Sequence, residues 1–112
     1  MVKEIAIMHI ENEKSQAKEA LKAGNEGKAR VCARRAAGIA ITFWLQSHPE
    51  LKWGESSINL LNNLKEDNSV PVEIKQAAIR LTTSVKDQSS LPFTQDPFRD
   101  SDVIVKYFLN NN

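Results

Sequence analysis

The segment between positions 29 and 45, ARVCARRAAGIAITFWL, constrains the fold more than any other part of the chain. Alanines recur in it at spacings of three and four residues, which places them on one face of a helix. This alanine seam consists of Ala29, Ala33, Ala36, Ala37 and Ala40. Because it carries no long side chains, another helix can approach it closely. The segment therefore predicts a helix whose seam, extended by Trp44, packs against another helix or a second copy of the chain.

Length and charge are those of an ordinary folded protein. The 112 residues predict one domain, 1–112, with a modest single core. Charged residues make up 26% of the chain, which is usual for a globular protein. The 15 Lys and Arg residues are balanced by 14 Asp and Glu residues, for a formal charge of +1. This balance argues against a dedicated, sequence-independent nucleic-acid binder, because that class carries a clear basic excess.

Cysteine usage and the N-terminal segment bear on the compartment. Cys32 is the one cysteine, so an internal disulfide is excluded and a reducing environment is indicated. The opening residues MVKEIAIMHIENEK interrupt any apolar run with acidic side chains, so no signal peptide is predicted. No window approaches the roughly 18 apolar residues of a membrane span. A cytoplasmic protein without membrane association is predicted.

Apolar periodicity predicts two long helices in the first half of the chain. The first covers about 2–23, and its predicted core face is formed by Ile7, Ile10, Ala17 and Leu21. Gly24 is predicted to end this helix, and Asn25 to cap the next, which covers about 26–46. Because the connection is so short, the two helices are predicted to be antiparallel neighbours.

The second half of the chain is predicted to contain three shorter helices. The third begins near Ser56 or Ser57, and Pro71 lies in the first turn of the fourth. The apolar stripe of the fourth consists of Ile74, Ala77, Ala78, Leu81 and Val85. Asp100 or Ser101 is predicted to cap the last helix. Its apolar face consists of Val103, Ile104, Tyr107 and Phe108. The predicted fold class is therefore all-α, an antiparallel bundle of four to five helices.

Residues 87–99, DQSSLPFTQDPFR, are predicted to form a loop before the last helix. A loop of thirteen residues is long for so small a domain. Its apolar side chains Leu91, Phe93 and Phe98 indicate that it is held against the body of the protein or against a partner. Two interpretations stay open: a packed connector, and a lid or dimer arm.

Three arginines lie beside the alanine seam on the second helix. Arg30 and Arg34 are four residues apart and share a face, whereas Arg35 lies about 100° further round. One interpretation pairs these guanidinium groups with Glu or Asp of the first helix or of a second subunit. The alternative is an anion- or nucleotide-binding site that takes a nucleotide or RNA phosphate. The sequence leaves both interpretations open.

The helix order and the alanine pattern resemble those of the HEPN family of small helical bundles. HEPN proteins carry an alanine-rich second helix followed by bulky apolar residues, matched here by the alanine seam and then Ile41, Phe43 and Trp44. The helix SSINLLNNL and the terminal segment DSDVIVKYFL are similar to later HEPN helices. The resemblance implies a HEPN-like bundle that forms a homodimer and pairs with a nucleotidyltransferase-like protein. It also implies nucleotide binding, which has been proposed for HEPN-like domains.

The resemblance does not extend to the catalytic motif of HEPN ribonucleases. Those enzymes use an Arg followed four to six residues later by a His, so that the Arg stabilises phosphate charge and the His acts as acid or base. The histidines here are His9 and His48. No arginine precedes His9, and Arg35 lies thirteen residues before His48. A non-catalytic protein is therefore predicted.

Other chemical motifs are equally sparse. His9 and Glu13 lie one helical turn apart, a spacing that permits a shared metal but is more often an ordinary surface or packing pair. Cys32 lies among small residues, which predicts a buried, unreactive thiol. The sequence has no phosphate-binding glycine loop and no nucleophile elbow. No catalytic residue, metal or cofactor is predicted.

Two functions of different classes are compatible with these patterns. The first is a non-catalytic, HEPN-like interaction module, a homodimer in which the alanine seam and Trp44 pack subunits together. A nucleotidyltransferase-like protein would be its further partner. The alternative is a nucleotide- or RNA-binding domain that uses Arg30, Arg34 and Arg35.

Overall fold

A computed structural model describes residues 1–83 and 96–111. Within these ranges the secondary structure is helical, without a β-strand, and the five helices are α1 (Lys3–Lys22), α2 (Glu26–Leu45), α3 (Ser57–Glu66), α4 (Val72–Thr82) and α5 (Pro97–Asn110). The all-α bundle predicted from the sequence is confirmed. Among the helices described, none is both long enough and apolar enough to cross a membrane.

The connection between α1 and α2 is a tight turn set by Gly24 and Asn25. Gly24 has a φ of 76°, a conformation that favours glycine, and Asn25 N donates to Ala20 O at 2.8 Å. The Asn25 side chain then accepts from Lys28 N at 3.0 Å, which caps α2. The two helices pack against each other as predicted.

α2 lies at the centre of the bundle and packs against α1, α3 and α5. Every alanine of the seam is at most 1% exposed in the single chain. Most of the seam belongs to the main core, together with Ile41, Leu61, Leu64, Leu81, Ile104 and Phe108. Ala29 belongs to a smaller core with Ala17, Ala20 and Cys32. The seam therefore packs helices of one chain together, and its alanines are covered without a second copy.

The predicted core face of α1 is partly wrong. Ile10 and Ala17 are buried, but Ile7 and Leu21 are each 39% exposed. The buried face of α1 is instead formed by Ala6, Ile10, Ala17 and Ala20. Small side chains dominate it because α1 faces the alanines of α2, where little room is left between the helices for long side chains.

The starts of α3 and α4 need little correction. Ser56 caps α3 by accepting from Asn59 N at 3.1 Å. Pro71 occupies the capping position before α4 rather than its first turn. Ile74, Ala77, Ala78 and Leu81 form the buried face of α4 as predicted, whereas Val85 lies outside the described residues. Gly38 of α2 admits the start of α3, because a Cβ there would lie 2.8 Å from Ser57 Oγ.

α5 begins earlier than predicted. Asp96, not Asp100 or Ser101, is its N-cap, and its Oδ1 accepts from Phe98 N at 3.1 Å and Arg99 N at 3.2 Å. The prediction missed the capping aspartate followed by a proline, an arrangement that suits a helix start because the proline has no N–H to satisfy. Positions 97–99 of the predicted loop are therefore helical, and its positions 87–95 lie outside the described residues.

Candidate functional site

Three consecutive residues of α5 fasten it to three other helices. Asp100 accepts from Arg80 of α4, with 3.0 Å to Nε and 2.8 Å to Nη2. Ser101 Oγ donates to Ala33 O of α2 at 2.8 Å. Asp102 forms a 2.8 Å ion pair with Lys14 of α1, and this bond raises the pKa of Lys14. The two residues expected to cap α5 are thus buried inside the bundle and hold it together.

Arg30 and Arg34 both contact the C-terminal end of α4. Arg30 Nη2 donates to Thr83 O at 2.7 Å, and Arg34 Nε donates to Leu81 O at 2.6 Å. The last carbonyls of a helix lack partners within the helix and carry a partial negative charge, so two cations are well placed there. These arginines therefore help to hold α4 against α2.

Burial makes the environment of these two arginines unusual. Arg30 is 7% exposed. Desolvation lowers the pKa of Arg34, and the neighbouring positive charge of Arg30 lowers it further. Arg30 Nε has no hydrogen-bond partner within residues 1–83 and 96–111. The carbonyls of α4 offset the mutual repulsion of the two cations, so this pair is explained by packing within the chain.

Arg35 lies apart from this pair and makes a different kind of contact. Its side chain is 58% exposed, and its Nη1 lies 3.8 Å from Glu13 Oε1 on α1, longer than a hydrogen bond. The expected pairing with an acidic residue of the first helix is thus found for Arg35, whereas Arg30 and Arg34 use backbone carbonyls. The three arginines named as an anion site do not converge on one ligand position.

A cleft of about 490 Å³ opens beside Arg35, between α1, α2 and the start of α3. The polar side chains in its lining are those of His9, Asn12, Glu13, Arg35, Thr42, Glu55 and Ser57. Met1 also lines it, and the N-terminal ammonium of Met1 donates to Gln46 Oε1. Gly38 lies at its wall, and its missing side chain leaves room for Ser57. A volume of this size suits a small molecule. Sequence patterns gave no sign of this cleft, because its lining comes from three separate segments.

Trp44 is the centre of an aromatic cluster rather than a free surface. Its ring stacks on His48 at 3.9 Å between centroids and lies 5.7 Å from Trp53 and 5.1 Å from Phe108. His48 Nδ1 also lies 3.0 Å from Trp44 O. These contacts involve Trp44 and His48 in packing at the end of α2.

The start of α1 carries a group of exposed apolar side chains. This N-terminal patch consists of Met1 (44% exposed), Val2 (61%), Ile5 (41%) and Met8 (56%). Ile5 and Met8 lie three residues apart on one side of α1, and Met1 and Val2 directly precede the helix. Single exposed apolar residues are normal, but a group of them marks a contact surface. The sequence prediction does not identify this patch, because it covers only the core face of the first helix and makes no assignment for these four residues.

The side chains that could bind a metal ion are scattered in the part of the chain that the structure describes. Within the described ranges, no group of three or more His, Cys, Asp and Glu side chains is arranged to hold a metal ion. His9 and Glu13 both line the cleft, without a third such ligand beside them. Cys32 is fully buried as a free thiol, as predicted.

Comparison with protein-family models, curated proteins and solved structures finds no match to this chain. The likeness to HEPN proteins therefore stays a prediction that depends on the helix order and the alanine pattern.

Proposed function

We propose that this protein is a non-catalytic, HEPN-like interaction module that forms a homodimer through the N-terminal patch. The observation that carries the proposal is the exposure of four apolar side chains at the start of the chain: Ile5 and Met8 on α1, and Met1 and Val2 directly before it. The alanine seam is already covered inside the chain, so the proposal assigns the subunit contact to this patch instead.

A second copy suits the patch because the patch is small and can complement itself. A two-fold axis passing between Ile5 and Met8 would place Ile5 of each copy against Met8 of the other. Such a contact would cover the apolar patch of both chains at once, and burial of apolar surface is the main favourable term in association. The homodimer implied by the HEPN resemblance supports the same choice of partner.

The proposed module has two further attributes. It acts in the cytoplasm, where its one buried thiol stays reduced. Its further partner is a nucleotidyltransferase-like protein, a pairing that the HEPN resemblance supports. The alternative of a nucleotide or RNA site formed by all three arginines is less well supported, because Arg30 and Arg34 already donate to Thr83 and Leu81.

Light scattering coupled to size-exclusion chromatography tests the dimer. The wild type should elute with twice the chain mass of 12.6 kDa at micromolar concentration. An Ile5→Glu, Met8→Glu double variant should elute as a monomer with an unchanged helical circular dichroism spectrum. Val72→Glu is the matched control, because Val72 is 67% exposed on α4 and should not affect the dimer. A monomeric wild type, or a double variant that stays dimeric, would overturn the proposal.

A further inference from the structure

We infer that the cleft beside Arg35 is a binding site for a small organic cation, with the Glu13 carboxylate as its anchor. The inference does not depend on the homodimer, because its anchor, Glu13, lies outside the N-terminal patch, although Met1 both lines the cleft and belongs to the patch.

The Glu13 carboxylate is the unusual group in this cleft. Its side chain is 13% exposed, and its Oε2 is buried without a hydrogen-bond partner among the residues described. Within residues 1–83 and 96–111, its Oε1 has only the 3.8 Å contact with Arg35 Nη1. A carboxylate removed from water without donors costs free energy, so proteins rarely retain one for stability alone. A ligand that brings donors to Glu13 would remove this cost.

The unpartnered oxygen of Glu13 selects a cation. Glu13 and Glu55 contribute two carboxylates to the lining, and Arg35 and the N-terminal ammonium of Met1 contribute two positive charges. The ammonium already donates to Gln46 Oε1, whereas Glu13 Oε2 has no donor among the described residues. The carboxylate torsion of a glutamate is broad, so a turn of the Glu13 group presents Oε2 to the cleft. An amidinium, guanidinium or ammonium group then meets this oxygen with a charge-assisted hydrogen bond.

The remaining walls define the size and shape of the ligand. Ile39 and Leu60 provide apolar surface, and Asn12 and Thr42 provide neutral polar groups. The volume of about 490 Å³ accommodates a small molecule with one ring and a short cationic arm. The ligand class is therefore an amine or amidine attached to a compact apolar group.

Benzamidine is a suitable probe because it combines a planar amidinium with an apolar ring. Titration into the ¹⁵N-labelled protein should shift amide signals of Asn12, Glu13, Ile39 and Thr42. The shifts should saturate with a Kd below about 1 mM. Benzoate reverses the charge and benzamide removes it, and neither should bind comparably. Equal binding of either compound, or no saturable shift, would overturn the inference.

Variants of Glu13 test whether its carboxylate anchors the ligand. Glu13→Gln should weaken benzamidine binding at least tenfold, whereas Glu11→Gln removes an exposed carboxylate of the same helix and should leave the Kd unchanged. Glu13→Asp keeps the charge but shortens the reach, so its affinity should be intermediate. Unchanged affinity in both Glu13 variants would overturn the assignment.

Two further measurements separate this inference from its alternatives. An uncharged Ile5→Asn, Met8→Asn variant disrupts the same patch without adding a carboxylate near the cleft residues Met1 and His9. It should bind benzamidine as the wild type does, so a failed dimer test leaves the cleft test intact. A capped Gly-Arg-Gly peptide carries the same cationic chemistry on a polypeptide. Tighter binding of this peptide than of benzamidine would assign the cleft to a protein side chain and overturn the small-molecule inference.

Discussion

Two faces of α2 carry arginines within one and a half turns, and they use them differently. Towards α4, Arg30 and Arg34 are largely removed from water and donate to helix-end carbonyls. Towards α1, Arg35 is 58% exposed and has one long contact with Glu13, which keeps an unpartnered oxygen within the described structure. The contacts of Arg30 and Arg34 stabilise the fold. The contact between Arg35 and Glu13 contributes little to stability, as is expected of residues that bind a ligand.

The largest expected effect is a loss of stability when Arg34, on the face of α2 towards α4, is replaced. Arg34→Ala should lower the free energy of unfolding by about 2 kcal/mol, because a carbonyl loses a charged donor at a half-buried site. Arg35→Ala is the matched control and should cost less than about 0.5 kcal/mol, as expected for an exposed ion pair. Urea denaturation of both variants measures the difference. Equal losses would remove the distinction between the two faces.

A smaller loss is expected where α4 meets α5. Asp100→Asn keeps the shape of the side chain but removes the charge that Arg80 contacts at 2.8 Å. Because Arg80 is 38% exposed and can be solvated after the change, the cost should be about 1–2 kcal/mol rather than that of a fully buried pair. Thermal unfolding followed by circular dichroism measures it. A variant as stable as the wild type would show that the charge of Asp100 is not needed to hold α5 in place.

Replacing Glu13 in the cleft should not lower the free energy of unfolding, in contrast to the two changes above. Glu13→Gln should leave the free energy of unfolding unchanged or raise it by up to about 1 kcal/mol, because an uncompensated buried charge is replaced by a neutral amide. The same denaturation experiment, with Glu11→Gln as the control, provides the measurement. A clear loss of stability would mean that Glu13 is retained for folding, and the contrast between the faces would then disappear.

The smallest expected effect is a pH dependence of stability at the Lys14–Asp102 ion pair, which involves neither arginine face of α2. The Asp102 bond raises the pKa of Lys14, so the charged form of Lys14 is more favoured in the folded state than in the unfolded state. Its contribution is full below the ordinary lysine pKa and is lost as pH rises through the raised folded value. Lys14→Met should therefore be less stable than wild type by about 0.5 kcal/mol at pH 8, and this gap should narrow above pH ~10.5. Unfolding curves at both pH values test the trend.

Sequence patterns predicted the parts of the fold that depend on local chemistry. The alanine spacing, Gly24 with Asn25, and the Ser56 cap each act over a few residues, and each was read correctly. The buried face of α1 differs from the prediction because the alanines of α2 leave room mainly for small side chains, so that Ile10 is its one large buried residue. Asp100 and Ser101 were assigned to a cap because their partners, Arg80 and Ala33, lie far away in sequence.

The candidate sites were predicted less well, for a related reason. The sequence places Arg35 about 100° round the helix from Arg34, but it cannot show that Glu13 faces it or that a cleft opens there. Glu55 and Ser57 enter this cleft from the start of α3, which the alanine seam and Gly38 position indirectly. A site assembled from three segments leaves no single spacing for a motif to reveal.

The attachment of α5 has a consequence for the order in which the protein folds. The α1–α2 hairpin closes over a short connection, whereas Ser101 reaches Ala33 across 68 residues. Local contacts form faster than distant ones, so we expect the hairpin to form first, with the side of α2 that faces α5 still open to water. Until α5 docks, this intermediate exposes a smooth apolar face to any other chain nearby. Docking of α5 therefore covers an apolar surface on which chains would otherwise associate. Variants that weaken its attachment should aggregate before they unfold fully.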